Sequence, residues 1–298
     1  GSCEAEAGLE LVAGQSVDIE IQYAAEGAVI LQGAKVGLRP PLERDLLGDA
    51  VAVAKAADAV VLVVGTNADW ESEGHDRASM DLPGDQDELI RRVCQANPRT
   101  VVCVNTGSPT KMDWAEDPGA LLQIWFGGQE MAGALADVLF GDAEPGGRLP
   151  TSFPERVEHS PSFGNFPGEN SEIRYGEGLL MGYRGYTTRY LPVRFPFGFG
   201  LSYSSFAMGV PRTSATIFEA GDVLEVEVEV TNTGDRWGSE VVQCYVAPES
   251  SRLFRPRMEL RAFAKVRLEP GESTAVTLRL DDRAFAYWDP ADAEYESL

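Results

Sequence analysis

The chain has 298 residues, enough for two domains that each bury a core of their own. Its 47 acidic and 25 basic residues give a formal net charge of −22. A surface with that charge repels phosphate backbones and anionic lipid head groups, so we exclude a nucleic-acid-binding function. The longest apolar run, residues 59–64, is too short to cross a bilayer, and no membrane span is predicted.

The cysteine and histidine content argues against metal and triad chemistry. The four cysteines show no CxxC spacing, and Cys94 and Cys103 fall on an apolar helix face and in an apolar strand, which is typical of small core residues. His75 and His159 are the only histidines, so neither a metal site nor a cofactor is predicted. Residues 1–14 lack the basic and apolar regions of a targeting peptide, and the localisation stays open.

Residues 1–42 have the alternation of β-strands. Val17, Ile19 and Ile21 face one way and the polar residues between them face the other, and a second strand is predicted at residues 28–31 after a glycine turn. Two or three strands are marginally stable on their own. We therefore predict that this segment is the end of a β-sandwich.

Residues 43–145 change to a pattern of helices and buried strands. A helical stripe that includes Leu46, Val53 and Ala54 comes first. Further strands and helices are predicted at residues 59–65, 85–97, 100–105, 120–126 and 128–140, the last ending at Gly141. Strands that are apolar on both faces and alternate with helices predict an α/β sandwich, in which a mostly parallel sheet is flanked by helices on both sides.

Residues 146–205 contain no long periodic segment but many glycine, proline and aromatic residues. The aromatic content argues against disorder, so we predict an ordered arm that packs across domain surfaces. Its residues Tyr175, Glu177, Tyr183 and Arg184 are predicted to contact a neighbouring domain.

After residue 206 the apolar period becomes two. Alternating strands are predicted at residues 223–230, 240–246, 260–268, 274–280 and 284–288. Short strands joined by turns such as the one at Asn232 indicate an antiparallel sandwich of the immunoglobulin or fibronectin type III kind. Such a sandwich has about seven strands and roughly six are visible, so we predict that its last strand is missing.

The acidic loop after residues 59–65 is the candidate site. Ligands of α/β proteins usually bind in the crevice beyond the carboxyl ends of the strands. Glu73, which lies beside Gly74, is the candidate proton donor, and Glu71 is its rival. By position alone, either residue could equally be a solvated surface acid.

Two of three further residues near this loop have two readings each. Trp70 is either an apolar wall of a binding site or part of the core, and Arg77 either pairs with Asp76 or acts on Glu73 electrostatically. Gly107, which follows the next strand, is predicted to shape a turn.

Five sequence blocks in this chain resemble glycoside hydrolase family 3. They occur in the family's order, from about residue 45 to the end of the chain: WESEGHDRASMDLPGDQDEL, NTGSP, IWFGGQEMAGALADVLFGDAEPGGRLPTSFP, YGEGLLMGYRGY and FPFGFGLSYSSF. The resemblance implies a C-terminal fragment of a β-glucosidase-like enzyme. Residues 1–42 are then the end of an inserted protective-antigen-like β-sandwich, and residues 43–145 are the α/β-sandwich domain. Residues 146–205 are the arm, and residues 206–298 are a fibronectin type III-like domain.

The resemblance also implies a reaction, a retaining exo-acting hydrolysis of terminal β-D-glucosyl residues. The match to the family's EGxDR element makes Glu73 the general acid/base, with Trp70 and Arg77 as substrate-binding residues. The family's aspartate nucleophile belongs to an N-terminal barrel domain that no segment here resembles. The barrel is therefore an expected partner, and this chain alone is predicted to be inactive.

The substrate class stays open within that family. The expected substrates are β-linked oligosaccharides or aryl and alkyl glucosides. The alternatives are a β-xylosidase or natural-product glycosidase of the same family, or a non-catalytic carbohydrate-binding or adhesion module. The sequence also leaves the oligomeric state open, including a homo-oligomer.

Overall fold

The computed structural model describes residues 44–73, 76–219, 221–291 and 294–296 and, before residue 44, residues 8, 10, 12, 14–20, 22 and 37. The strand predicted at residues 28–31 lies outside the described residues, as do Cys3, Gly74 and His75; residues 15–20 are described and form no strand. Within the described part, no helix has the length and apolar composition that a membrane span requires.

An α/β unit comes first and forms around a three-stranded parallel sheet. Its elements are α1 (Leu46–Ala56), β1 (Val60–Gly65), α2 (Gln86–Ala96), β2 (Thr100–Asn105), β3 (Ala120–Gln123) and α3 (Met131–Phe140). The strand order is β1-β2-β3, so β2 is central. The Asp45 side chain caps α1 by accepting from the Gly48 N–H at 2.8 Å, and Gly141 ends α3 in the left-handed region at φ 85°.

The core of this unit surrounds the central strand. Val102, Cys103 and Val104 of β2 are fully buried, and the two valines pack with α2 and with Trp114. The Trp114 indole N–H donates to Asp87 at 2.6 Å. Burial raises the pKa of the Asp87 carboxyl above its usual value, although that hydrogen bond opposes the shift.

The outer faces of the sheet are less covered than the sequence predicted. Val61 and Val63 of β1 are each 54% exposed. Ala54 is the buried residue of α1, whereas Leu46 and Val53 of the predicted stripe are exposed. No residue of α3 is buried, and an apolar groove of about 730 Å³ separates it from β3. The predicted burial on both faces is therefore incomplete within the described residues.

The arm is ordered, as predicted. Its regular elements are β4 (Phe153–Pro154), a 3₁₀ turn (Val157–His159), α4 (Tyr183–Thr188) and β5 (Val193–Phe195), and β4 pairs with β5. The Tyr183 ring stacks on the Phe197 ring, with 4.6 Å between the ring centroids. Its hydroxyl accepts from the Leu260 N–H at 2.7 Å, so it contacts the next unit.

The C-terminal unit is an antiparallel sandwich. Its elements are β6 (Phe206–Met208), β7 (Arg212–Thr213), β8 (Leu224–Asn232), β9 (Gly238–Val246), β10 (Glu259–Leu268), β11 (Ser273–Leu280), α5 (Asp282–Phe285), β12 (Tyr287–Asp289) and β13 (Glu294–Glu296). One sheet has the order β11-β8-β6, with β7 also on β8, and β9 pairs with β10. The core of this unit is Val228, Val230, Val242, Leu268, Val276 and Leu278.

Two details of this unit differ from the prediction. Residues 284–288 do not form one strand, because the N–H groups of Ala284 and Ala286 bond back to the carbonyls of Asp281 and Asp282 and close a helical turn. Strand β12 then begins at Tyr287 and pairs with β13, a strand that the sequence did not predict.

Polar contacts join the arm and the α/β unit to the sandwich. Arg148 bonds Glu240 at 2.5 Å, with the two side chains 11% and 17% exposed. Lys265 donates to the Gly146 carbonyl at 3.0 Å, and Arg236 donates to the Gly141 carbonyl at 2.7 Å. In the glycine-rich segment 198–200, the Gly198 carbonyl accepts from the Gln243 side chain at 3.0 Å.

The Arg148–Glu240 pair is expected to contribute measurably to stability. We expect Arg148→Ala to lower the free energy of unfolding by about 2–3 kcal/mol, because Glu240 would lose its cation while staying mostly buried. The matched control is Arg279→Ala, whose pair with Glu225 is 68% and 44% exposed and should cost under about 1 kcal/mol. Denaturant titration of both variants measures the difference, and equal losses would contradict the assigned role.

Candidate active site

The loops after β1 and β2 leave the sheet side by side. The two strands are parallel and in register, with Gly65 opposite Asn105 at their ends. Gln86, the first residue of α2, fixes the end of β1 because its side chain accepts from the Gly65 N–H at 2.7 Å and donates to the Gly65 carbonyl at 2.9 Å. A pocket of about 420 Å³ opens at this edge, lined by Trp70, Glu71, Ser72, Glu73, Asp76, Arg77 and Ser108.

Glu73 lies in a turn at the rim of this pocket and is exposed. Its carboxylate forms no ion pair and no side-chain hydrogen bond with any residue that the structure describes. It can therefore accept a proton from, or donate one to, a molecule that enters the pocket without first breaking an internal contact.

Glu71, two residues earlier, is in the opposite situation. Its Oε1 accepts from the Thr66 hydroxyl at 2.5 Å and from the Gly107 N–H at 3.2 Å, and its Oε2 accepts from the Ser108 hydroxyl at 3.0 Å. The Glu71 side chain is only 15% exposed. Both oxygens are thus engaged by the protein.

Arg77 lies against Glu71 rather than Asp76. Its Nη1 is 3.9 Å from Glu71 Oε1, and its Nη2 donates to the Pro109 carbonyl at 3.0 Å. The guanidinium is 16% exposed and forms no ion pair with Asp76. The Asp76–Arg77 pair, one of the two readings of Arg77, is therefore not formed, because the arginine side chain turns toward the loop after β2.

Trp70 and its neighbours leave hydrogen-bonding capacity unused at this edge. The buried indole N–H of Trp70 has no acceptor among the described residues, although the side chain lines the pocket. The side-chain oxygens of Asn105, Thr110 and Gln123 are also buried and unpaired within the described part. Buried polar groups are normally paired, so these atoms are exceptions to that rule.

Side chains of the types that bind metals do not cluster within the described residues. Those residues contain no group of three or more His, Cys, Asp or Glu side chains that could hold a metal ion. Cys94, Cys103 and Cys244 are free thiols. Burial raises the pKa of all three, as expected for packed, unreactive cysteines.

Sequence patterns predicted the loop but not the contacts of Glu71. Thr66, Gly107 and Ser108 were not predicted to bind it, although each follows a strand that was predicted. The available signal was that small and hydroxyl residues follow two adjacent parallel strands, which places hydrogen-bond donors at one edge of the sheet. Gly107 allows the Glu71 carboxylate to come close to the loop after β2, because a Cβ at this position would lie 2.8 Å from Glu71 Oε2.

Two matches to known domains cover most of the chain. Residues 7–203 match the glycosyl hydrolase family 3 C-terminal domain, and residues 240–297 match a fibronectin type III-like domain. A β-glucosidase from Rhizobium radiobacter is 43% identical over 277 residues, which are 92% of this chain and 34% of that protein. The chain spans about a third of the length of the curated relatives it matches.

Solved structures share the fold. A crystal structure of β-glucosidase from Kluyveromyces marxianus in complex with glucose has a TM-score of 0.79 and 41% identity, and the match covers 84% of this chain and 30% of that chain. A crystal structure of a β-glucosidase from Bifidobacterium adolescentis has a TM-score of 0.80 and 41% identity, with 86% and 38% covered. The match therefore reaches well beyond the parallel sheet alone.

Proposed function

The chain belongs to glycosyl hydrolase family 3, and from that premise we propose that it is the C-terminal part of a retaining β-glucosidase, with Glu73 as its general acid/base. The aspartate nucleophile and the contacts to the glucosyl ring would come from an N-terminal barrel domain outside this chain. We propose the domain boundaries that were predicted from the sequence, which divide the chain into residues 1–42, 43–145, 146–205 and 206–298.

The contrast between Glu73 and Glu71 carries this proposal. Both carboxylates line one pocket at the end of the parallel sheet, but only Glu73 has both oxygens available to a ligand. A general acid must come within hydrogen-bond reach of the leaving oxygen, so an exposed carboxylate on a loop suits that role.

The proposed reaction proceeds in two displacements. The aspartate attacks the anomeric carbon while Glu73 gives its proton to the departing oxygen, which leaves a covalent glucosyl ester and an alcohol. Glu73, now a carboxylate, takes a proton from water as that water attacks the same carbon, and the aspartate is released. The two carboxyl groups must then lie about 5–5.5 Å apart.

Trp70 and Arg77 have different roles in this proposal. Trp70 lines the pocket beside Glu73 and would form the apolar wall for the leaving group. The bond of Arg77 to Pro109 and its proximity to Glu71 favour holding the loop over contacting the substrate.

The stereochemical outcome tests the proposal. The reassembled enzyme is a chimera in which residues 44–298 of this chain replace the matching C-terminal segment of the Rhizobium radiobacter β-glucosidase. Proton NMR during hydrolysis of an aryl β-glucoside should show the β-anomer of glucose first, because two inversions restore the configuration. Initial α-glucose, or a folded chimera with no turnover, would contradict the proposal.

A further inference from the structure

We propose that Glu71 is a positioning residue that fixes the loop carrying Glu73 by bonding it to the loop after β2. The inference rests on the proposed role of Glu73 as general acid/base. Glu71 does not touch the reacting atoms; it sets where the Glu73 carboxylate can reach.

The hydrogen bonds of Glu71 connect two strand ends. A carboxylate offers about four acceptor positions, and protein donors occupy three of those of Glu71. Thr66 directly follows β1, while Gly107 and Ser108 follow β2. Hydrogen bonds to an ionised acceptor are roughly twice as strong as neutral ones, so this carboxylate holds the two loops at a set separation.

Arg77 attaches the other side of the same loop. It donates to the Pro109 carbonyl at 3.0 Å, and its buried Nη1, which lacks a hydrogen bond among the described residues, faces Glu71 at 3.9 Å. Glu71 precedes Glu73 by two residues and Arg77 follows it by four. Both ends of the Glu73 segment are therefore attached to residues 107–109.

Close packing limits the position of the Glu71 carboxylate. A Cβ at Gly107 would lie 2.8 Å from Glu71 Oε2 and 2.8 Å from the Phe126 ring. There is therefore no space for a side chain at Gly107, and the glycine allows the Glu71 carboxylate to approach the loop after β2 closely. A misplacement of about 1 Å in a catalytic group can cost about 100-fold in rate, so this restraint has catalytic weight.

Hydrogen exchange on the chain as it exists tests the attachment without any assay of activity. The Gly107 amide donates directly to Glu71, and the Trp70 and Glu71 amides bond the Asn67 carbonyl at 3.0 and 2.8 Å. Glu71→Ala should speed exchange of these amides by about 10-fold or more, whereas Glu71→Gln, which keeps an acceptor, should change it less than about 3-fold. Thr66→Val removes one donor at nearly constant shape and should act in the same direction, so a poorly folding Glu71→Ala does not end the test.

Kinetics of the reassembled enzyme test the catalytic consequence. We expect Glu71→Ala to lower kcat about 100-fold, with KM changed less than about 3-fold. Glu71→Gln should stay within about 5-fold of the parent, because its amide oxygen can still accept from Thr66 and Gly107 while its NH2 group donates to the Ser108 hydroxyl oxygen. Glu73→Gln should not be rescued in this way, because an amide cannot transfer the proton. Glu88→Gln, an exposed acid of α2, is the matched control.

The outcomes separate the two proposals. Unchanged exchange at Gly107 in Glu71→Ala, or full activity of that variant in the reassembled enzyme, would overturn the positioning role. Azide should not accelerate substrate turnover by the Glu71→Ala variant, because Glu73 is still present. If azide did accelerate turnover and glucosyl azide formed, Glu71 would be the acid/base instead. An inactive parent chimera would overturn the proposed function, while faster exchange in Glu71→Ala would still establish the attachment.

Discussion

The purified chain alone is expected to hydrolyse an activated β-glucoside at no more than about 10⁻⁵ of the rate of the reassembled enzyme. Removal of an enzyme nucleophile typically costs about 10⁶ in rate, and little remains besides binding and electrostatic stabilisation. The proposed nucleophile lies outside the chain, so the covalent step has no carboxylate to carry it. The measurement compares 4-nitrophenyl β-glucoside turnover by equal molar amounts of the chain and the chimera.

Asp76 provides the control for this prediction. It lines the same pocket as Glu73 and is exposed, so it is the described carboxylate best placed to substitute for a missing nucleophile. If the isolated chain turned over substrate and Asp76→Asn abolished that turnover, the site would be complete within one chain. Turnover that Asp76→Asn left unchanged and that approached the chimera's rate would equally contradict the need for a second domain.

The regular elements were largely predictable because their signals are local. Residues 100–105 form β2 as predicted, since a run of valines and a threonine favours an extended, buried strand. The αL residue Gly141 ends α3 for the reason the sequence indicated. Where the structure differed, at residues 284–288, two backbone hydrogen bonds to Asp281 and Asp282 outweighed an alternating pattern.

Burial was less predictable because it depends on what packs against an element. The stripe containing Leu46 and Val53 was expected to be buried, yet both residues are exposed in the part of the chain that the structure describes. Val61 and Val63 show the same discrepancy on β1. An apolar pattern records that a face is suited to burial, but it does not identify the neighbour.

The candidate site was predicted as a pair of rival acids, and its contacts were not. Glu71 and Glu73 are two residues apart and chemically alike, so local sequence cannot rank them. The distinguishing hydrogen bonds come from Gly107 and Ser108, which lie 36 and 37 residues further along the chain. Only the parallel register of β1 with β2 brings those donors to Glu71.

Glu73→Gln in the reassembled enzyme is expected to lower kcat/KM for alkyl β-glucosides by about 10³-fold. General acid catalysis contributes about 10²–10⁴-fold, and its share is largest when the leaving oxygen is strongly basic. A dinitrophenyl glucoside, whose leaving group needs no proton, should lose less than about 10-fold in the first displacement. The ratio of the two losses therefore reports proton donation and not general damage to the fold.

Azide rescue of Glu73→Ala completes the argument. Without the Glu73 carboxylate no base activates water, so the glucosyl ester should accumulate with the dinitrophenyl substrate. Azide needs no deprotonation and can attack the anomeric carbon directly, which forms a carbon–nitrogen bond and releases the aspartate. The product should be β-glucosyl azide, and its rate of formation should rise with azide concentration.

The control variants decide between Glu73 and its neighbour. Glu88→Gln should match the parent on both substrates, and Glu71→Gln should remain close to it. If Glu73→Gln kept parental activity on alkyl glucosides while Glu71→Gln lost it, the assignment would move to Glu71 despite its three internal hydrogen bonds. Those bonds disfavour that outcome, because three protein donors already hold a carboxylate that is only 15% exposed.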